Sequence, residues 1–119
     1  MPRTVAIVLA PDYSAALEKL AFTTPVWIVD TPQNRNAAEQ AWHAATEWPH
    51  ITVTLFRAPE GNATKGDWRR LLDQIAFREK AVDTIDVIGS PLTLAARAAL
   101  SDAGFARFEE TAQAVRARR

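Results

Sequence analysis

The sequence has no cysteine, only four glycines and only two histidines. Without cysteine the chain has no disulfides, no zinc–thiolate sites and no thiol chemistry, and redox state says nothing about its compartment. His43 and His50 lie without a serine or carboxylate at a usable spacing, so the sequence predicts neither a catalytic triad nor a two-histidine zinc motif. We therefore expect no metal site and no cofactor.

An excess of one charge is also absent, because 14 basic residues balance 14 acidic residues. General nucleic-acid binders are basic, so this neutrality argues against nucleic acid as a partner. Long hydrophobic runs are missing too: no segment approaches the ~20 apolar residues of a membrane span. The apolar run 5–10 is shorter than a signal-peptide core. We expect a soluble cytoplasmic protein without a membrane partner, and the Arg-rich, Lys-poor composition indicates a bacterial source.

The composition that remains is that of an ordinary globular protein. The chain has 119 residues, of which 48% are hydrophobic and 24% are charged. This length is close to the commonest domain size and is sufficient for one core. The sequence therefore predicts a single domain over residues 1–119.

Buried strands alternate with amphipathic helices along the chain. Continuous or alternating apolar runs predict strands at Val5–Leu9, Val26–Asp30, His50–Arg57, Thr84–Ile88 and Phe105–Glu110. Helix-start signals lie between successive strands, at Asp12, Thr31-Pro32, Asp67 and Ser90-Pro91. This order, βαβαβαβαβ, predicts an α/β fold: a three-layer α/β/α domain with a mostly parallel five-stranded sheet. The first two strands are apolar on both faces, so we expect them in the interior of the sheet.

The C-terminal segment has two alternative interpretations. Residues 111–118 form either a turn at 111–113 and a final strand at 115–118, which would close an antiparallel hairpin, or a frayed helix. Val115 is its one strongly apolar residue and decides neither alternative.

Polar residues collect where the predicted parallel strands end. In such a sheet ligands bind beyond the carboxyl ends of the strands. The candidate ligand-binding residues at this edge are Asp12, Asp30, Asn34, Arg35, Ser90 and Thr93.

Each main candidate also has a purely structural interpretation. Asp30 either caps the following turn or holds a metal, a ribose hydroxyl or a proton. Arg35 either binds an anion or pairs with Asp30 or Glu39 on the surface. Ser90 and Thr93 either start a helix or present its free N–H groups to phosphate. The glycine spacing matches neither a dinucleotide fingerprint nor a phosphate-binding P-loop.

Four tryptophans are many for a chain of this length. Trp27, Trp42, Trp48 and Trp68 all fit apolar positions of predicted elements, so core packing explains them. Trp42 and Trp48 lie at the end of one helix and have an alternative role as an aromatic patch for a protein partner.

Two classes of function follow from these features. The first is a small non-enzymatic binding protein that acts through protein contacts, by dimerising or in the manner of an immunity protein. The alternative is a small enzyme or ligand sensor with a phosphate or nucleotide site at the strand carboxyl ends.

Overall fold

The computed structural model describes residues 3–9, 13, 17, 25–47, 52–58, 64–79, 81–89, 92–110 and 114–119. The strands in these residues are β1 (Arg3–Val8), β2 (Val26–Asp30), β3 (Val53–Arg57), β4 (Val82–Ile88), β5 (Arg107–Glu110) and β6 (Ala114–Arg118). The helices are α1 (Arg35–Thr46), which a 3-10 turn over Pro32–Asn34 precedes, α2 (Lys65–Arg78) and α3 (Leu94–Asp102). Tyr13 and Leu17 are helical and buried, and the rest of the predicted first helix lies outside the described residues.

All six strands form one sheet in the order β3-β2-β1-β4-β6-β5. Strands β1 to β4 pair in parallel, and β6 pairs antiparallel with both β4 and β5. The C-terminal segment is therefore a strand, and the predicted three-layer α/β fold is confirmed. The hairpin strand β6 inserts between β4 and β5 instead of adding to an edge.

The sheet has a separate core on each face. Helices α2 and α3 cover one face, where Trp27 and Trp68 are buried as predicted. Helix α1, Tyr13 and Leu17 pack on the other face, and α1 contributes the small side chains Ala38, Ala41 and Ala45.

The two strands expected in the interior occupy interior positions. Strand β1 lies between β2 and β4, and β2 lies between β1 and β3. The residues of β1 and β2 from Val5 to Val8 and from Val26 to Asp30 are all buried. Strand β3 is partly buried at Val53, Thr54 and Leu55, buried at Phe56 and exposed at Arg57, and it forms an edge of the sheet.

Two helix starts differ from the sequence prediction. We expected Asp67 to cap α2, but the cap is Thr64, whose hydroxyl accepts from the backbone N–H of Asp67. We expected the last crossover helix to begin at Ser90-Pro91, but α3 begins at Leu94 after Thr93. In both cases the N-cap is a threonine with extended backbone, and its hydroxyl accepts a hydrogen bond from the backbone N–H three residues later.

Gly104 follows the C-terminal end of α3. Its φ is +100°, and the backbone N–H of Phe105 donates to the carbonyl of Leu100. This is the Schellman arrangement that glycine favours, and it turns the chain so that the buried Phe105 packs under the helix.

Candidate functional site

The crevice between the carboxyl ends of β1 and β4 is the usual ligand position in a sheet of this topology. The chain packs on the α1 face after β1 and on the α3 face after β4, so the crossover direction reverses there. The crevice is narrow, because Leu9 N–H donates to the carbonyl of Ile88 and Gly89 lies against the Leu9 carbonyl. The two polar candidates for this position, Asp12 and Ser90, lie outside the described residues.

A charged cluster lies one strand further along the same edge. Asp30, the last residue of β2, is fully buried. Its Oδ2 lies 3.3 Å from Arg57 Nε and 4.0 Å from Arg35 Nε. The same sheet face carries Val26, Ile28 and Asp30 on β2, so the strand alternation itself points this carboxylate toward α1.

The other oxygen of Asp30 is unsatisfied. Oδ1 is buried and has no hydrogen-bond partner in the described structure. A buried polar atom without a partner costs about 1–3 kcal/mol, and more when the group is charged. Such atoms are uncommon in folded proteins, so Oδ1 is free to accept a hydrogen bond from a donor outside the described residues.

Two half-exposed guanidinium groups cover this carboxylate. The side chain of Arg35, the first residue of α1, is 48% exposed, and that of Arg57, the last residue of β3, is 61% exposed. Both turn Nε toward Asp30, and Arg57 Nη2 also lies 3.8 Å from Glu39 Oε1. Their terminal nitrogens therefore keep donors for a ligand on the solvent side.

Asn34 does not join this cluster through any described hydrogen bond or ion pair. Its Nδ2 donates to Thr31 Oγ1 at 3.0 Å, which closes the turn that carries the chain from β2 into α1. Neither Thr31 nor Asn34 caps a helix N–H with its side chain, and the first turn of α1 has no acidic residue. The predicted start at Thr31-Pro32 is correct for the 3-10 turn, and α1 follows it.

Tyr13 lies near the buried carboxylate of Asp30. Its hydroxyl donates to the carbonyl of Val29 at 2.6 Å. Burial, and next the negative charge of Asp30, raises the pKa of Tyr13 to about 12. The phenol therefore stays protonated at neutral pH, and its hydroxyl donates to the backbone carbonyl of the residue before Asp30.

The remaining candidate residues have structural roles or lie outside the described residues. Thr93 Oγ1 accepts from the N–H of Ala96, so this hydroxyl caps α3. Trp42 is half-buried, and its Nε1 donates to the carbonyl of Val53, which ties α1 to the edge strand. Trp48 lies outside the described residues.

Sequence reasoning did not select Arg57 or Tyr13 for the site. Arg57 joins it because the β2–β3 register makes Arg57 the partner of Asp30. The sequence did contain a signal for Arg57: side chains alternate along a strand, so Arg57 lies on the same face of β3 as Val53 and Leu55, which is the face that Asp30 occupies on β2.

An open groove lies among residues of α2, β4 and the chain after α3. Its volume is about 600 Å³. Leu72, Ile75 and Phe105 contribute apolar walls, and Asp73, Glu79 and Arg119 contribute charge. Arg119 stacks on the Phe105 ring, 4.5 Å from its centroid, and donates to the carbonyl of Val82.

No helix in the described ranges is long and apolar enough to cross a membrane. Within the same ranges no three carboxylate or imidazole side chains are grouped so that they could hold a metal ion. Comparisons with protein-family models, with curated proteins and with solved structures found no match.

Proposed function

We propose that this chain is a small binding protein and that its binding site is the Asp30–Arg35–Arg57 cluster, which takes an anionic group. The observation that carries the proposal is the position of two half-exposed guanidiniums over a buried carboxylate at the ligand edge of an α/β sheet. Guanidinium groups bind phosphate and carboxylate through paired N–H donors. Asp30 holds Arg57 Nε through a hydrogen bond, so this arginine loses little side-chain entropy when a ligand binds.

Binding fits this cluster better than catalysis does. In the described structure the hydrogen bonds and ion pairs of its side chains connect only carboxylates and guanidiniums. A guanidinium stays protonated, so it is a poor general acid or base. Carboxylates act as nucleophiles or bases in many enzymes, but that of Asp30 is fully buried beneath the two guanidiniums. A ligand sensor is therefore a better description than an enzyme.

The test is thermal unfolding of the protein with inorganic phosphate, nucleotides and simple carboxylates at constant ionic strength. A ligand at ten times its Kd stabilises the folded state by about 1.4 kcal/mol, which raises Tm by several degrees. We expect Arg35→Ala and Arg57→Ala to abolish this rise.

The matched control is Arg107→Ala, which removes the same charge from an exposed position on β5, outside the cluster. This variant should respond as the wild type does. A wild type that no anion stabilises, or an equal response from Arg35→Ala, would refute the proposal.

Contact with a protein partner, including a second copy of the chain, is a second candidate. It is favoured by two large apolar side chains on the α2/α3 layer, Phe77 and Leu94, which are 88% and 86% exposed. Sedimentation of the wild type and of a Phe77→Ser/Leu94→Ser variant tests self-association. A monomer at all concentrations would remove dimerisation from the candidates.

A further inference from the structure

The anion site described above leaves one atom unexplained. Asp30 Oδ1 is buried and has no partner in the part of the chain that the structure describes, whereas Oδ2 of the same carboxylate faces both arginines. A ligand that only supplied an anion to the arginines would leave Oδ1 without a hydrogen-bond donor. The missing group at Oδ1 is a hydrogen-bond donor, and a cationic donor satisfies a carboxylate best.

Charge balance supports a cationic donor. Asp30, Arg35 and Arg57 together carry one net positive charge, and Glu39, whose Oε1 lies 3.8 Å from Arg57 Nη2, balances it, so the cluster with Glu39 is neutral. A bare anion competes with Asp30 for the guanidiniums and leaves a buried carboxylate less compensated, which is costly. A ligand that brings a positive charge together with its negative charge keeps the cluster neutral.

We infer that the ligand is a small zwitterion, with an ammonium group a few ångströms from a carboxylate, as in an α-amino acid. This inference rests on the proposed anion site. The ligand carboxylate binds the terminal nitrogens of Arg35 and Arg57, and its ammonium donates to Asp30 Oδ1. Arg35, whose Nε is 4.0 Å from Asp30 Oδ2, is held less closely than Arg57 and moves outward to admit the ammonium.

The test compares alanine, lactate and propionate, which share a three-carbon carboxylate and carry an ammonium, a hydroxyl or a hydrogen on the second carbon. We expect alanine to bind the wild type at least about tenfold more tightly than propionate, because a charge-assisted hydrogen bond contributes more than a factor of ten. The affinity for lactate should lie between those for alanine and propionate. In Asp30→Asn this discrimination should disappear.

The outcomes separate the inference from the proposed function. If propionate binds as tightly as alanine, or if inorganic phosphate binds while alanine does not, the zwitterion is wrong and the anion site remains. If neither phosphate nor any of the three carboxylates binds, both proposals fail. The wild-type series decides the question even if Asp30→Asn does not fold.

Discussion

Asp30 and Arg57 are register partners at the carboxyl ends of β2 and β3, and Arg57 Nε donates to Asp30 Oδ2 across 3.3 Å. The pair is therefore positioned by the sheet and not by a loop. A site built on strands is held more rigidly than one built on loops, so its donors stay in place before a ligand arrives. Arg70 adds to this rigidity, because its Nη2 donates to the backbone carbonyl of Arg57 at 3.1 Å.

The first prediction concerns the stability cost of neutralising Asp30. We expect Asp30→Asn to change the free energy of unfolding by less than about 1 kcal/mol. Its ion pairs are with half-exposed arginines and are screened, and a neutral amide is cheaper to bury. Urea unfolding measures this change.

Asp86→Asn is the matched control for that substitution. Both oxygens of Asp86 are satisfied by Arg116, at 2.8 and 3.1 Å. Asp86→Asn should therefore cost at least as much as Asp30→Asn. A loss above about 2 kcal/mol for Asp30→Asn, with a smaller loss for Asp86→Asn, would show that Asp30 is mainly structural.

The second prediction concerns alkaline pH and Tyr13, the one tyrosine in the chain. Its pKa is raised to about 12 in the folded protein, while an unfolded chain titrates near 10. Between these values the unfolded state loses a proton that the folded state keeps. Stability should therefore fall by about 1.4 kcal/mol per pH unit as pH rises through this window.

Absorption of the tyrosinate reports this titration directly. Asp30→Asn should lower the pKa of Tyr13, since the charge of Asp30 contributes to the shift. Tyr13→Phe should remove the alkaline loss of stability from this window. A folded-state titration near pH 10 would contradict the burial of this phenol.

The third prediction compares two glycines. Gly89 has φ +110°, and a Cβ there would lie 2.2 Å from the carbonyl oxygen of Leu9. Gly89→Ala should therefore destabilise the protein by more than about 2 kcal/mol, because both strain and a backbone clash act. Gly66→Ala is the control: it has open space in the first turn of α2, so it should leave stability unchanged or raise it by up to about 1 kcal/mol. Equal effects would contradict the close approach of β1 and β4.

The fourth prediction concerns the two hydrophobic cores, one on each face of the sheet. Leu71 and Ile28 are buried on opposite faces of the sheet, so Leu71→Ala and Ile28→Ala should each cost about 2–5 kcal/mol. Phe77→Ala on the same helix is the control, and it should cost less than about 0.5 kcal/mol because Phe77 is exposed. Similar losses for Leu71→Ala and Phe77→Ala would be inconsistent with the assigned face of α2.

The layers of this fold could be predicted from the sequence, but the order of the strands in the sheet could not. Apolar runs at Val5–Leu9 and Val26–Val29 identify interior strands, because only a strand covered on both faces tolerates them. The insertion of β6 between β4 and β5 depends on pairing between distant segments, and no local pattern encodes it. The helix starts at Thr64 and Thr93 were missed because several polar residues nearby have the same capping propensity.

The candidate site was also only partly predictable from the sequence. Asp30 and Arg35 follow a buried strand, and their proximity follows from the short turn between them. Arg57 lies 27 residues beyond Asp30, and only the β2–β3 register brings it there. The lack of a partner for Asp30 Oδ1 among the described residues, on which the proposed zwitterion rests, is a feature of packing that sequence alone does not contain.

The most direct test of the binding site is the nuclear magnetic resonance spectrum of the arginine Nε–H groups during titration with inorganic phosphate at constant ionic strength. The account predicts saturable shifts for Arg35 and Arg57 and no saturable shift for Arg116, whose guanidinium Asp86 already occupies. Arg107 serves as the exposed control and should show only the small, linear change of nonspecific contact. No saturable shift at Arg35 and Arg57, or an equal shift at Arg107, would contradict an anion site at the carboxyl end of β2.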